Sequence, residues 1–194
     1  RQADALGLGH AVLCAKHLLN KEPFAVLLPD VLVLDSQSRE RNYSFAKLVE
    51  AWNKTEVGQV MVERVDSDMI ENYGVADLDG ATSKPFDSFA LKGLVEKPSP
   101  DEAPSNLAVL GRYILPSRVL DLLENTKPGV GGEIQLTDAL DELLKTDGLN
   151  SLETDAGIHD CGNKQGFLSA NLALGMRDSE TREEIKRLFD RSGW

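Results

Sequence analysis

The sequence predicts an α/β protein, a sandwich of helices on both faces of a mixed, mainly parallel sheet with an antiparallel insert. Three observations support this class. Short apolar runs alternate along the chain with stretches of helical period, the signature of strands alternating with helices. Phe24 to Leu28 is a continuous apolar run between Pro23 and Pro29, the pattern of a strand buried on both faces. Tyr73–Leu115 is rich in strand-like segments with no obvious helix, which suits an antiparallel insert. A length of 194 residues favours one domain spanning 1–194 with a substantial core.

Ala11, Val12, Ala15, Leu18 and Leu19 recur at helical spacing, so residues 9–19 read as a helix preceded by Gly7-Leu8-Gly9. Ser44–Asn53 follows as a helix with Phe45, Leu48, Val49 and Trp52 on one face. Gln59–Val65 is a strand, and Tyr73–Leu78 is a strand running into an Asp79-Gly80 turn. Leu91–Glu96 and Leu107–Leu115 are further strands. Pro116-Ser117 opens a helix carrying Val119, Leu120, Leu122 and Leu123, and another runs over Ile134–Leu144. Ser151–His159 reads as a last strand, and helices over 164–176 and 180–191 close the chain.

Composition excludes several function classes. Lys and Arg number 21 against 32 Asp and Glu, a formal charge of -11, which opposes nucleic-acid binding because phosphate neutralisation needs a cationic surplus. No apolar run approaches the roughly 20 residues that span a bilayer. Cys14 and Cys161 make neither a disulfide framework nor a metal cluster and suit a reducing, cytoplasmic setting. The chain opens Arg1-Gln2-Ala3-Asp4 without Met or a visible signal peptide, so it is expected to begin inside a longer protein.

Few residues invite chemistry singly. Asp30 lies just past an apolar strand, where open α/β sheets bind ligands. It suits a turn-forming or helix-capping Asp or, alternatively, a Mg²⁺ carboxylate. Gly7-Leu8-Gly9 before a helix lets backbone N–H groups approach an anion, or simply relieves crowding. Glu96-Lys97-Pro98 pairs a carboxylate for sugar hydroxyls with an ammonium for phosphate, and Pro98 biases Lys97 toward extended backbone. Neighbours in a strand face opposite ways, so both serve one pocket only if the strand end twists; otherwise they are a solvated strand end. His159-Asp160-Cys161-Gly162 offers a second strand-end carboxylate, Asp160, that could share a cation with Asp30. A Cys–His nucleophile is rejected there, since adjacency in sequence is not the required arrangement.

Together and in order, these segments resemble the bacterial UTP–glucose-1-phosphate uridylyltransferases. The resemblance is carried by Gly7-Leu8-Gly9-His10-Ala11-Val12, Leu28-Pro29-Asp30-Val31, Tyr73-Gly74-Val75 and Val95-Glu96-Lys97-Pro98. It continues in Ser105-Asn106-Leu107-Ala108, Gly111-Arg112-Tyr113, Glu133-Ile134-Gln135-Leu136-Thr137-Asp138-Ala139 and Asp160-Cys161-Gly162-Asn163-Lys164. It implies a Rossmann-like sugar-nucleotide transferase fold and Mg²⁺-dependent conversion of UTP and glucose 1-phosphate to UDP-glucose and pyrophosphate. By the same resemblance Gln2 and Gly7 meet the uracil edge, and Asp30 and Asp160 hold Mg²⁺. Gly74, Glu96 and the backbone near Val109 bind glucose, and Lys97 binds the sugar-side phosphate. Asp30, Lys97 and Asp160 are the residues expected to carry catalysis.

The family's opening strand and Gly-rich nucleotide loop have no counterpart here, so the resemblance covers the C-terminal two-thirds of such an enzyme. The chain alone is therefore expected to form little UDP-glucose and to self-associate through an exposed sheet edge as a homo-oligomer. Two other readings remain. One is a regulatory relative that binds sugar nucleotides without turnover; the other is a pyrophosphorylase of another nucleotide or sugar, such as dTDP-glucose.

Overall fold

The computed structural model describes residues 1–36 and 42–192. Contacts group the chain into two compact units, Arg1–Leu27 with Ser44–Asp155, and Leu28–Tyr43 with Ala156–Trp194.

The larger unit is organised by β7 (Leu107–Leu115), at nine residues its longest strand. One edge of β7 pairs antiparallel with β3 (Gly58–Arg64). The other is shared by β1 (Phe24–Leu27), along Arg112–Leu115, and β4 (Gly74–Asp77), at Ala108. Outward from β3 lie β8 (Leu149–Glu153) and β5 (Ser88–Ala90), and outward from β4 lies β6 (Gly93–Glu96). The register of β3 on β7 shifts between Val60 and Val62, so β7 bulges through Leu110-Gly111-Arg112. Gly111 takes φ +63 there, a conformation natural to glycine.

Strand direction departs from the expected balance. Among the described strands, β3–β8 is the parallel pair and the remaining pairs are antiparallel. Apolar runs report burial, not direction, and the antiparallel segment from β4 to β7 reaches the middle of the sheet. β1 is likewise not buried on both faces: Ala25 and Leu27, on one face, are exposed while Phe24 and Val26, on the other, pack against the core. β5, a three-residue strand, has too little pattern to be read from sequence.

One sheet face carries the core. Val60, Val62, Leu94, Leu107, Tyr113 and Leu115 pack there against Val12 of α1 (Leu8–Leu13), Leu123 of α3 (Arg118–Asn125) and Leu140 of α4 (Leu136–Thr146). α4 buries Leu136, Ala139, Leu140 and Leu143, the i, i+3, i+4, i+7 stripe of an amphipathic helix. It stops before Gly148, which takes φ +82. The expected helix over 9–19 is instead α1 followed by a 3-10 turn, Lys16–Leu18, with the chain turning at Cys14-Ala15. α2 (Tyr43–Thr55) buries Ser44, Leu48 and Ala51. Fully buried Gln59 donates to Thr55 Oγ1 and the Val57 carbonyl and accepts from Ser88 Oγ, so all three bonds offset its desolvation.

The smaller unit holds a two-stranded antiparallel sheet of β2 (Val31–Leu34) and β9 (Gly157–Asp160), with α5 (Lys164–Gly175) and α6 (Ser179–Ser192). The single strand expected over Ser151–His159 is thus two. The Thr154 N–H donates to the Val62 carbonyl at 2.9 Å and its hydroxyl meets Ser44 at 2.7 Å, which ends β8; the chain re-enters sheet pairing only at Gly157. Asn163 caps α5 by accepting the Gly166 N–H at 2.8 Å.

Glu63, opposite Ala108 on β7, is half-buried with no ion-pair partner among the described residues, and burial pushes its carboxyl up from 4.5 to about 7. Between those values the folded state holds a proton that the unfolded state has released, so stability falls as pH rises through this window. Glu63→Gln is expected to remove that slope. Urea unfolding of both proteins from pH 4 to 8 checks it: the stability difference should move toward the Gln variant with rising pH, and a constant difference contradicts the assignment.

Candidate active site

In the larger unit the register of two short strands creates a carboxylate corner. β4 and β6 pair antiparallel with Gly74 opposite Glu96. A Cβ at Gly74 would stand 3.2 Å from Glu96 Oε2 and 3.9 Å from Val109 Cβ, so glycine leaves that space open beside both residues. Thr137, in the first turn of α4, donates its hydroxyl to Glu96 Oε2 at 2.8 Å. Tyr113 is buried on β7, and its phenol is pushed up by burial and by the charge of Glu96. Gly74, Glu96 and Val109 thus converge, joined by the side chain of Thr137, to which the sequence assigned no role.

Lys97 corrects an expectation. Its φ is +47, left-handed rather than extended, and its N–H donates to the Tyr73 carbonyl at 3.0 Å. The preference set by Pro98 yields to that bond and to burial of Pro98 itself. The strand end therefore twists, which is the condition for Glu96 and Lys97 to serve one ligand. Lys97 is exposed and has no ion pair among the described residues. A non-glycine residue in this region is the kind of local strain that functional sites hold.

Gln2 and Gly7 also lie together. The Gln2 amide donates to the Gly7 carbonyl at 3.0 Å and sits 3.0 Å from His10 Nδ1. The glycines before α1 answer to packing. A Cβ at Gly7 would meet the Ile134 carbonyl oxygen at 2.6 Å and one at Gly9 would meet it at 2.7 Å, while the Gly9 N–H donates to that oxygen. That N–H is therefore committed to the chain rather than offered to an anion.

In the smaller unit Asp30 and Asp160 lie side by side. Val31 pairs with Asp160 across the β2–β9 ladder, and the Cys161 N–H donates to the Asp30 carbonyl at 2.7 Å. Asp160 is fixed through both oxygens: Oδ1 accepts the Gly162 N–H at 2.9 Å and Oδ2 accepts the Asn163 amide at 3.1 Å. A Cβ at Gly162 would stand 3.0 Å from Asp160 Oδ1 and 3.3 Å from Asp30 Oδ2, so that glycine leaves a small space flanked by both carboxylates. Neither carboxylate has an ion-pair partner among the described residues. Two hard oxygen donors facing one space, with lone pairs to spare, fit a divalent cation such as Mg²⁺. Among the described residues no three His, Cys, Asp or Glu side chains converge, so a cation here would take the rest of its shell from water and phosphate. His159 is engaged elsewhere, with Nδ1 2.9 Å from Ser169 Oγ of α5.

The larger unit thus carries a carboxylate corner at Glu96 and the smaller unit an aspartate pair, Asp30 and Asp160. The chain belongs to the nucleotidyl transferase family, which it matches over residues 1–176. Its homologues include bacterial UTP–glucose-1-phosphate uridylyltransferases: that of Haemophilus influenzae is 41% identical over 186 residues, covering 96% of this chain and 63% of the relative. The chain therefore spans somewhat under two-thirds of that relative's length. The UTP-bound UGPase of Acinetobacter baumannii superposes with a TM-score of 0.87 at 41% identity, covering 97% of this chain and 63% of that one. A UDP-glucose pyrophosphorylase complexed with UDP-glucose does so with a TM-score of 0.83 at 34% identity, covering 92% of this chain and 65% of that one.

Gly162→Ala should weaken divalent-cation binding by about tenfold, by filling the space between the aspartates. Titration of Mn²⁺ followed by its electron paramagnetic resonance signal measures this. Unchanged affinity would mean that a cation does not sit between Asp30 and Asp160.

Proposed function

We propose that the protein transfers the uridylyl group of UTP to glucose 1-phosphate, yielding UDP-glucose and pyrophosphate. The observation that carries this reading is the corner at Glu96, where a strand-end carboxylate faces a glycine across an antiparallel ladder, in a chain 41% identical to a named uridylyltransferase. A carboxylate with one oxygen already hydrogen-bonded suits a hexose, whose hydroxyls are donors.

A phosphate oxygen of glucose 1-phosphate attacks the α-phosphorus of UTP; the new P–O bond forms as the bond to the β-phosphate oxygen breaks, and pyrophosphate leaves. No covalent enzyme intermediate is required. The protein's task is to position the reactants and to offset repulsion between anionic nucleophile and anionic phosphorus centre. Glu96, with the backbone of Gly74 and of Val109, orients the glucose. Lys97, without an ion pair among the described residues and turned by its left-handed backbone, neutralises the sugar phosphate. Gln2 and Gly7 address the uracil edge. Asp30 and Asp160 would hold Mg²⁺, which when bound supplies charge neutralisation at the reacting phosphates. The free thiols of Cys14 and Cys161 support a cytoplasmic setting. Exposed Phe167, Leu168 and Leu174 on α5 support self-association.

Assay of the full-length protein with UTP, glucose 1-phosphate and Mg²⁺ tests the reading. Glu96→Ala should weaken UDP-glucose binding, and Lys97→Ala should lower turnover by about a hundredfold, the loss of roughly 3 kcal/mol of transition-state stabilisation. Unchanged turnover of Lys97→Ala would remove Lys97 from the reaction. Tighter binding of dTDP-glucose than of UDP-glucose would reassign the nucleotide.

A further inference from the structure

We propose that Thr137 is a positioning residue for the sugar. Its hydroxyl holds the Glu96 carboxylate in one orientation, so that the other carboxylate oxygen faces the hexose. The inference rests on the uridylyltransferase reading, because it takes the Glu96 corner as the sugar site.

Glu96 is the last residue of β6 and is exposed, with a side chain that turns freely unless something restrains it. Its cross-strand neighbour cannot restrain it, since Gly74 has no side chain. A Cβ at residue 74 would instead stand 3.2 Å from Oε2, the oxygen that receives the Thr137 hydroxyl. Gly74 clears the space, and Thr137 fixes what occupies it.

Three properties suit Thr137 to this task. It is β-branched, so few χ1 rotamers are open to it on a helix. It is the second residue of α4, and its hydroxyl is given to Glu96 rather than to a carbonyl in the preceding turn. The positive end of an 11-residue helix also favours a carboxylate beside it. The hydroxyl donates to Oε2 at 2.8 Å, leaving Oε1 with its lone pairs for sugar hydroxyls.

The test uses the full-length protein and two ligands, UDP-glucose and UDP, titrated calorimetrically against wild type, Thr137→Val, Thr137→Ser, Glu96→Ala and the Thr137→Val/Glu96→Ala double variant. Val keeps the shape of Thr and removes the hydroxyl. Expected are about tenfold weaker UDP-glucose binding by Thr137→Val, unchanged UDP binding, and recovery in Thr137→Ser. In the Glu96→Ala background Thr137→Val should add nothing, because it acts through Glu96. Equal weakening of both ligands, full additivity in the double variant, or wild-type affinity of Thr137→Val would each overturn the inference while leaving the uridylyltransferase reading intact. If wild type binds UDP-glucose no better than UDP, and Glu96→Ala changes neither, the sugar site is elsewhere and both readings fall.

Discussion

The pairing of β7 on both of its edges is the constraint on which the larger unit depends. A nine-residue strand with β3 on one side cannot present one straight edge to both β1 and β4 on the other, and the bulge at Leu110-Gly111-Arg112 reconciles the two. Above the bulge β7 carries Tyr113 and Leu115 into the core; below it Val109 stands near Gly74. β4 docks on β7 through Val75 and Ala108, and its own register with β6 then leaves no freedom: Gly74 must face Glu96. The carboxylate corner is thus a consequence of sheet register, and a one-residue slip would turn Glu96 to the other face.

The two units hold their carboxylates in two different ways. A sugar is recognised by directed hydrogen bonds, which need an oriented acceptor, and in the larger unit Glu96 is tethered by Thr137. A polyphosphate is managed by charge, which needs anions held close enough together to bind a cation, and in the smaller unit the short β2–β9 ladder places Asp30 beside Asp160. The turn after β9 does two jobs there. Gly162 and Asn163 hold both oxygens of Asp160, and Asn163 also caps α5. Gly166 is equally constrained, since a Cβ there would overlap the Asp160 carbonyl.

Much of this was legible in the chain itself, for identifiable reasons. Leu107–Leu115 has the length and apolar density of a central strand and is one. The stripe from Leu136 to Leu143 has helical spacing and forms the buried face of α4. Ordered blocks around Asp30, Glu96 and Asp160 marked residues that fold into two local clusters. Direction and long-range pairing were not legible, because a period of two reports which face a residue takes and not which strand lies beside it. The same limit explains why 151–159 read as one strand. Gly7 and Gly9 invited a ligand-binding role because close approach to a helix start looks alike in sequence whether the partner is a phosphate or the Ile134 carbonyl. The turn at Lys97 was hidden by Pro98, whose local preference is overruled by a hydrogen bond to Tyr73, 24 residues earlier and just before β4. Thr137 sat inside a matching block, yet only the fold shows that its hydroxyl meets Glu96.

The most direct measurement of the central claim is a crystal structure of the full-length protein with UDP-glucose and Mg²⁺. The account predicts glucose hydroxyls on the Glu96 carboxylate and the Gly74 backbone, with Thr137 still bonded to the other carboxylate oxygen. A hexose bound away from β4 and β6, with Glu96 left in solvent, would contradict it.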